Sequence, residues 1–179
     1  SNSTIGAQLK VDEGEELLEK EILEKVLTAS WRCSNARLMP PKSDAEAGTW
    51  QILGDPTEAA LLVAARKGGI GADHQFGDVP RICEIPFDSI RKRMSTVYDD
   101  KGSRILYLKG APAEVLTRCT TLASVEGSKP MQESDRKAIM AANDRYAREG
   151  LRVLALADRV LPVGCDLSPD SLEEELSFC

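Results

Sequence analysis

The chain has 179 residues, 42% apolar and 29% charged, a composition that fits one globular domain with a real core and not a disordered segment. Its 23 basic and 29 acidic residues leave a formal charge of −6, which argues against nucleic-acid binding through many Lys and Arg contacts to phosphate. No stretch approaches the roughly 20 continuous apolar residues of a membrane-crossing helix, and the polar start Ser1-Asn2-Ser3-Thr4, attributable in part to cloning, is no secretory signal.

In chain order, Leu17, Leu18, Ile22, Leu23, Val26 and Leu27 have helical spacing with charges between them, which predicts a helix over 15–30. A polar stretch containing Pro40 and Pro41 reads as a loop, and Trp50-Gln51-Ile52-Leu53 as a short strand. Next come helix-start signals: Asp55 as N-cap, Pro56 in the first position and Glu58 in the third, where it would complete a capping box by bonding back to the Asp55 amide. That helix runs to Lys67 and stops at Gly68-Gly69. Arg81 to Phe87 reads as a strand with Ile82, Cys83, Ile85 and Phe87 as candidate inward groups. Met94–Tyr98 and Arg104–Leu108 flank a hairpin loop, Asp99–Ser103. Pro112 starts a short helix through Val115, Leu116 and Cys119, and a longer helix covers 134–148 and ends at Gly150. Arg152–Ala157 is an apolar strand that alternates too little to face water on one side. From Ser168 the tail is acidic. Hairpins mixed with helices predict an α+β fold, a mainly antiparallel twisted sheet flanked by helices and helix hairpins, as one domain over 1–179.

Cys33, Cys83, Cys119, Cys165 and Cys179 are scattered and never form a C-x-x-C pair, so neither a disulfide framework nor a zinc knuckle is expected; reduced, mostly buried thiols of a cytosolic compartment are. His74, the only histidine, sits in a Gly-rich stretch with no G-x-S-x-G elbow in the chain and reads as a surface-loop residue.

Three segments could carry chemistry: Gly54-Asp55-Pro56-Thr57-Glu58, then Pro86-Phe87-Asp88-Ser89-Ile90-Arg91-Lys92-Arg93-Met94-Ser95, then Lys109-Gly110-Ala111-Pro112. Arg91-Lys92-Arg93 is a run of three cations in an acidic chain, just after a phenylalanine. An aromatic face beside convergent cations suits a purine nucleotide, the ring stacking on the base and the cations meeting phosphate oxygens. The competing reading is a solvated charge run beside a core Phe. No G-x-x-x-x-G-K-[ST] loop, G-x-G-x-x-G fingerprint or kinase signature is present.

Those segments, in that order, followed by Gly150-Leu151-Arg152-Val153-Leu154-Ala155-Leu156-Ala157, resemble the nucleotide-binding domain of P-type cation-transporting ATPases, in the branch with calcium and sodium/potassium pumps. His74 is followed by Gln75, unlike the His-Pro pair of the heavy-metal branch. The resemblance spans about 15–179 and implies that Phe87 stacks on adenine while Glu58 bonds or water-bridges its amino edge. It further implies that Lys92 and Lys109 line the pocket, that Gly110 permits close backbone approach, and that Arg152 reaches the phosphates. Ser89 stands where calcium pumps have arginine, Ile90 where an acidic residue is frequent, and Ala113 where glutamate usually follows K-G-A-P, with Glu114 one place late. These departures keep open a second reading, a contact or regulatory module whose pocket no longer holds nucleotide. The family's D-K-T-G-T phosphorylation motif is absent, so no catalytic residue is expected here. The implied role is to bind ATP, with magnesium in the intact pump, beside the pump's phosphorylation and actuator domains on the cytoplasmic side of a membrane that this segment does not enter. Glu58→Gln is expected to keep stability near normal, since glutamine can still cap, while weakening the preference for ATP over GTP.

Overall fold

The computed structural model describes residues 13–40, 50–71, 79–124 and 127–179. Its elements are α1 (Glu13–Arg32), β1 (Arg37–Met39), β2 (Gln51–Leu53), α2 (Pro56–Lys67), β3 (Arg81–Asp88), β4 (Arg93–Asp100), β5 (Ser103–Gly110), α3 (Pro112–Leu116), β6 (Cys119–Ser124), β7 (Gly127–Pro130), α4 (Glu133–Arg148), β8 (Ala155–Leu161), α5 (Pro169–Leu172) and β9 (Leu176–Phe178). Residues 1–4, Pro41 and His74 lie outside the described residues.

The fold is α+β. One seven-stranded sheet has the order β3-β4-β5-β8-β9-β6-β7, and β1 pairs with β2 in a separate two-stranded sheet. Every pairing is antiparallel except β6 with β9. The β4–β5 hairpin turns on two residues, Lys101 and Gly102, with φ of 53° and 91°. Positive φ at both central positions marks the turn whose twist matches that of paired strands. The Asp99 carboxylate accepts from the Gly102 amide at 2.8 Å, so the expected loop 99–103 closes to two residues.

Alternation along β4 and β5 sends side chains to both faces of the sheet. On one face Val97, Leu106 and Leu108 join Ala157, Val115, Leu172 and Leu176 in the largest core cluster. On the other, Met94, Tyr107 and Leu156 pack under Ala29 of α1 and Cys33 just after it. The second helix docks on the first through Leu27, Ala65 and Ile70, and Ala59 and Leu62 pack with Ala36 just beyond α1. This arrangement suspends the N-terminus of α2 over the α1 face of the central hairpin. The Arg136 guanidinium of α4 donates to the carbonyls of Leu116 and Cys119 and ties that helix to α3.

Several expectations change. β1 occupies part of the stretch read as loop, and it forms only because β2 supplies a ladder partner. The short helix stops at Leu116, and Cys119 opens β6. The strand expected at Arg152–Ala157 runs instead from Ala155 to Leu161. Its partner β5 ends at Gly110, opposite Ala155, because the chain turns there into α3, so residues 152–154 have no strand to pair with. β6, β7, α5 and β9 lie where no element was expected. Ile82 and Phe87, expected inward, are 38% and 60% exposed, whereas Cys83 and Ile85 do pack on the core. Ile82 neighbours Cys83 and must face the opposite side. A register shift between Ile85 and Asp88 re-aims Phe87 out of the core row, as bulges do. Cys33 and Cys119 are buried, and the other three cysteines are half-buried.

Gly110 is required by packing within the sheet. A Cβ there would lie 2.6 Å from the Lys92 carbonyl oxygen and 2.6 Å from the Arg93 Cβ, both on the neighbouring strand segment. Gly110→Ala should therefore force β4 and β5 apart at this end and lower stability by about 1–3 kcal/mol, as overpacked sites do. Urea denaturation measures this, and an unchanged midpoint would show that the strands can separate without cost.

Candidate functional site

The site grows from one constraint. Lys109 on β5 lies opposite Met94 of β4 and Leu156 of β8, in the sheet interior, and is only 7% exposed. A buried ammonium needs a carboxylate and hydrogen bonds. Glu58, in the first turn of α2, supplies them at 2.6 Å from Lys109 Nζ, and the Ser34 hydroxyl stands at 3.5 Å. The other Glu58 oxygen accepts from the backbone amides of Asn35 and Ala36, each at 2.9 Å. Burial alone would push the Glu58 carboxyl up. The Lys109 hydrogen bond, the two amides and the Lys109 charge hold it below the usual carboxylate range.

Glu58 is therefore no partner in a capping box. Asp55 caps α2 alone, accepting from Thr57 N at 2.8 Å and Glu58 N at 3.1 Å. The Glu58 side chain turns away from the helix start because a buried cation and two loop amides offer it more than one exposed amide does. Its substitution by glutamine thus cannot be neutral through capping.

The pair lines a cavity of about 420 Å³, together with Asp55, Thr57, Phe87, Lys92, Met94, Gly110, Ala111, Arg152, Val153 and Leu154. All six residues singled out in the sequence, Glu58, Phe87, Lys92, Lys109, Gly110 and Arg152, are among them. Phe87 is an exposed ring that shares this cavity with buried Met94. That excludes the core-Phe reading.

The cation run divides. Arg91 and Arg93 both turn to Glu173, and of the three only Lys92 lines the cavity. Lys92 has φ of 51°, a left-handed conformation unusual for a non-glycine residue. Its amide donates to the Asp88 carbonyl at 2.6 Å and its carbonyl accepts from the Ala111 amide at 3.0 Å. Its ammonium stands 3.8 Å from the Glu114 carboxylate, so the glutamate one place late in the sequence still reaches this edge of the site. Ile90 stands out at the turn, 86% exposed. Arg152 lies in the exposed segment before β8, close enough for its charge to act on Asp55.

Sequence reasoning missed the Met94 side chain, although strand alternation from Arg93 placed it on this face. It also missed the Asn35 and Ala36 amides and the Glu173 carboxylate, which carry no local signal. Chemically the cavity offers an exposed aromatic face, an apolar wall, a pre-formed carboxylate–ammonium pair and two exposed cations.

Comparison with known proteins bears on what this arrangement is. The profile of the family described as P-type ATPase, cytoplasmic domain N, matches residues 22–179. A sodium/potassium exporting P-type ATPase of Schizosaccharomyces pombe is 38% identical over 137 residues, covering 74% of this chain and 13% of that protein. A calcium-transporting ATPase of Bacillus subtilis is 34% identical over 171 residues, 90% of this chain and 18% of that one. A cation-transporting ATPase of Synechocystis is 34% identical over 140 residues, 78% of this chain and 15% of that protein. The chain thus spans less than a fifth of the length of these relatives. With the profile matched from the middle of α1 to the last residue, the chain belongs to the family of P-type ATPase cytoplasmic N domains.

Proposed function

We propose that this chain, as one unit over 1–179, binds ATP in the cavity between α2 and the central hairpin and presents it to a phosphorylation domain outside this segment. The observation that carries the reading is the convergence of Glu58, Phe87, Lys92, Lys109, Gly110 and Arg152 on one cavity, with an aromatic face and cations on the same opening. Adenine stacks on Phe87 with Met94 beside it. A carboxylate has about four acceptor positions, and Lys109, Asn35 and Ala36 occupy three at Glu58. The remaining one is available to the adenine amino group. Lys92 and Arg152 meet the phosphates by charge-assisted hydrogen bonds.

Among the described residues no group of three His, Cys, Asp or Glu side chains could hold a metal ion. Magnesium would arrive on the ATP phosphates, where it neutralises charge during transfer. With no D-K-T-G-T motif in the chain, the nucleophilic aspartate is supplied elsewhere, and this unit contributes position: it holds the γ-phosphate for in-line attack. In the whole protein this would serve transport of calcium or a related cation, with the unit on the cytoplasmic side beside phosphorylation and actuator domains. Among the described residues no helix is long and apolar enough to cross a membrane.

The isolated chain should bind ATP weakly and hydrolyse it negligibly. Calorimetry checks the first half and phosphate release the second. Turnover near 1 per second or faster, an ordinary enzyme rate, would overturn the division of labour between domains, and absence of any ATP heat would favour a contact module.

Phe87→Ala should weaken ATP binding by about 1–3 kcal/mol, the worth of a base–aromatic stack, with little change in melting temperature because the ring is 60% exposed. Unaltered affinity in the folded variant removes the stacking role.

Glu58→Gln should now cost stability, about 1–3 kcal/mol, because one amide oxygen cannot serve both the loop amides and the Lys109 ammonium. The ratio of ATP to GTP affinity should fall in the same variant, since a carboxylate accepts from the adenine amino group and repels the guanine oxygen. In the wild type the depressed Glu58 carboxyl stays charged as pH falls to the ordinary glutamate value of about 4.3. The ATP preference should therefore persist at pH 5 and decline only below that value. A loss of preference between pH 7 and 5 would assign it to another group.

A further inference from the structure

Glu173 lies between α5 and β9, far along the chain from the cavity, and is 0% exposed. Leu172 and Leu176, both fully buried in the main core cluster, fix the backbone on either side of it. Its carboxylate is fully engaged. One oxygen accepts from Arg91 Nη1 at 2.8 Å and the Ser95 hydroxyl at 2.9 Å; the other accepts from Arg91 Nη1 at 2.7 Å and Arg93 Nε at 2.6 Å.

The network does not end at the carboxylate. Arg91 Nη2 donates to the Pro86 carbonyl at 2.8 Å, and Arg93 Nη1 to the Arg91 carbonyl at 3.2 Å. Pro86 precedes Phe87, so the Arg91 guanidinium links Glu173 to the backbone that aims the ring. Within the turn Asp88 Oδ1 accepts from the amides of Ile90 and Arg91, at 2.9 and 2.8 Å. The segment 86–93, which carries Phe87 and Lys92 into the cavity, is thus held by Asp88 within the turn and by Glu173 from the far side. Burying a carboxylate and most of two guanidinium groups is costly unless they satisfy each other, and this site recovers that cost by fixing a turn that contains a left-handed lysine.

We propose that Glu173 is a positioning residue of the nucleotide site. It draws Arg91 and Arg93 away from the cavity, leaves Lys92 as the one cation of the run that faces the ligand, and through Arg91 fixes the Phe87 backbone. This rests on the proposed function. It predicts energetic coupling between Glu173 and Phe87, two residues without a shared bond.

The test is a double-substitution cycle on the full chain with adenosine and with magnesium ATP as probes: wild type, Phe87→Ala, Glu173→Gln and the double variant, with Kd values from calorimetry. Glu173→Gln should weaken adenosine and ATP by similar factors, on the order of ten-fold, because base stacking is common to both. Phe87→Ala should then cost several-fold less in the Glu173→Gln background than in the wild type. Where Glu173→Gln does not fold, Arg91→Met replaces it in the same cycle, cutting the link to Pro86 while Arg93 and Ser95 still satisfy Glu173. Amide shifts of 87–92 in the ligand-free variant should move, with those of the α1–α2 contact unchanged. Equal Phe87→Ala factors in both backgrounds would reduce Glu173 to a structural group while leaving the site's function standing. Failure of the wild type to bind either probe would overturn both.

Discussion

The buried Lys109 ammonium is the constraint on which the arrangement depends. It sits on the third strand of a seven-stranded sheet, paired on both sides, and only 7% of it is exposed, where it lines the cavity. Only a carboxylate from another layer can neutralise it, and α2 delivers one from its first turn, where the helix dipole also favours negative charge. Because the same carboxylate binds the amides that follow α1, one side chain fastens sheet, first helix and second helix together. The cavity is the space left in front of that junction. A site built so is rigid around Glu58, since moving that side chain would strand a cation and two amides at once.

Charge is sorted on the β3–β4 side of the cavity by the geometry of a turn. Arg91, Lys92 and Arg93 are consecutive, the first two in the turn between β3 and β4 and the third opening β4. Lys92 adopts φ of 51° at the end of the turn, so it parts from both neighbours and keeps its ammonium half free. The two arginines go to a carboxylate fully removed from water, where planar guanidinium forks bond it from several directions. A single basic run thereby divides, one cation lining the cavity and two bonded to the frame.

What the sequence made legible follows from the range of the forces involved. The Asp55 cap, the Pro56 start and the β4–β5 hairpin depend on neighbours within a few residues, and each lies where local chemistry put it. The convergence of the six site residues was legible only through the ordered motifs. The capping role of Glu58 failed because a tertiary partner outbid a local one, and no residue near position 58 announces Lys109. β9 is three residues long and exists by pairing with β6 and β8, so no periodicity could reveal it. Glu173 sits in an acidic run, Glu173-Glu174-Glu175, whose members look alike in the sequence. In the fold Glu173 is sealed while Glu175 meets Arg159 at the surface.

These features bear on affinity as much as on specificity. Under the proposed function, a base entering the cavity finds Glu58 and Lys109 already bonded to each other, so it adds one hydrogen bond and need not first separate the pair. The pre-formed pair lowers the reorganisation needed for binding and also limits the energy gained. The remaining contributions come from an exposed ring and from two cations that water and salt screen before the ligand arrives. A cavity of this kind recognises its ligand without holding it hard. That suits a unit whose ligand must pass part of itself to another domain, because tight binding of the ground state would deepen the well from which the phosphoryl group departs.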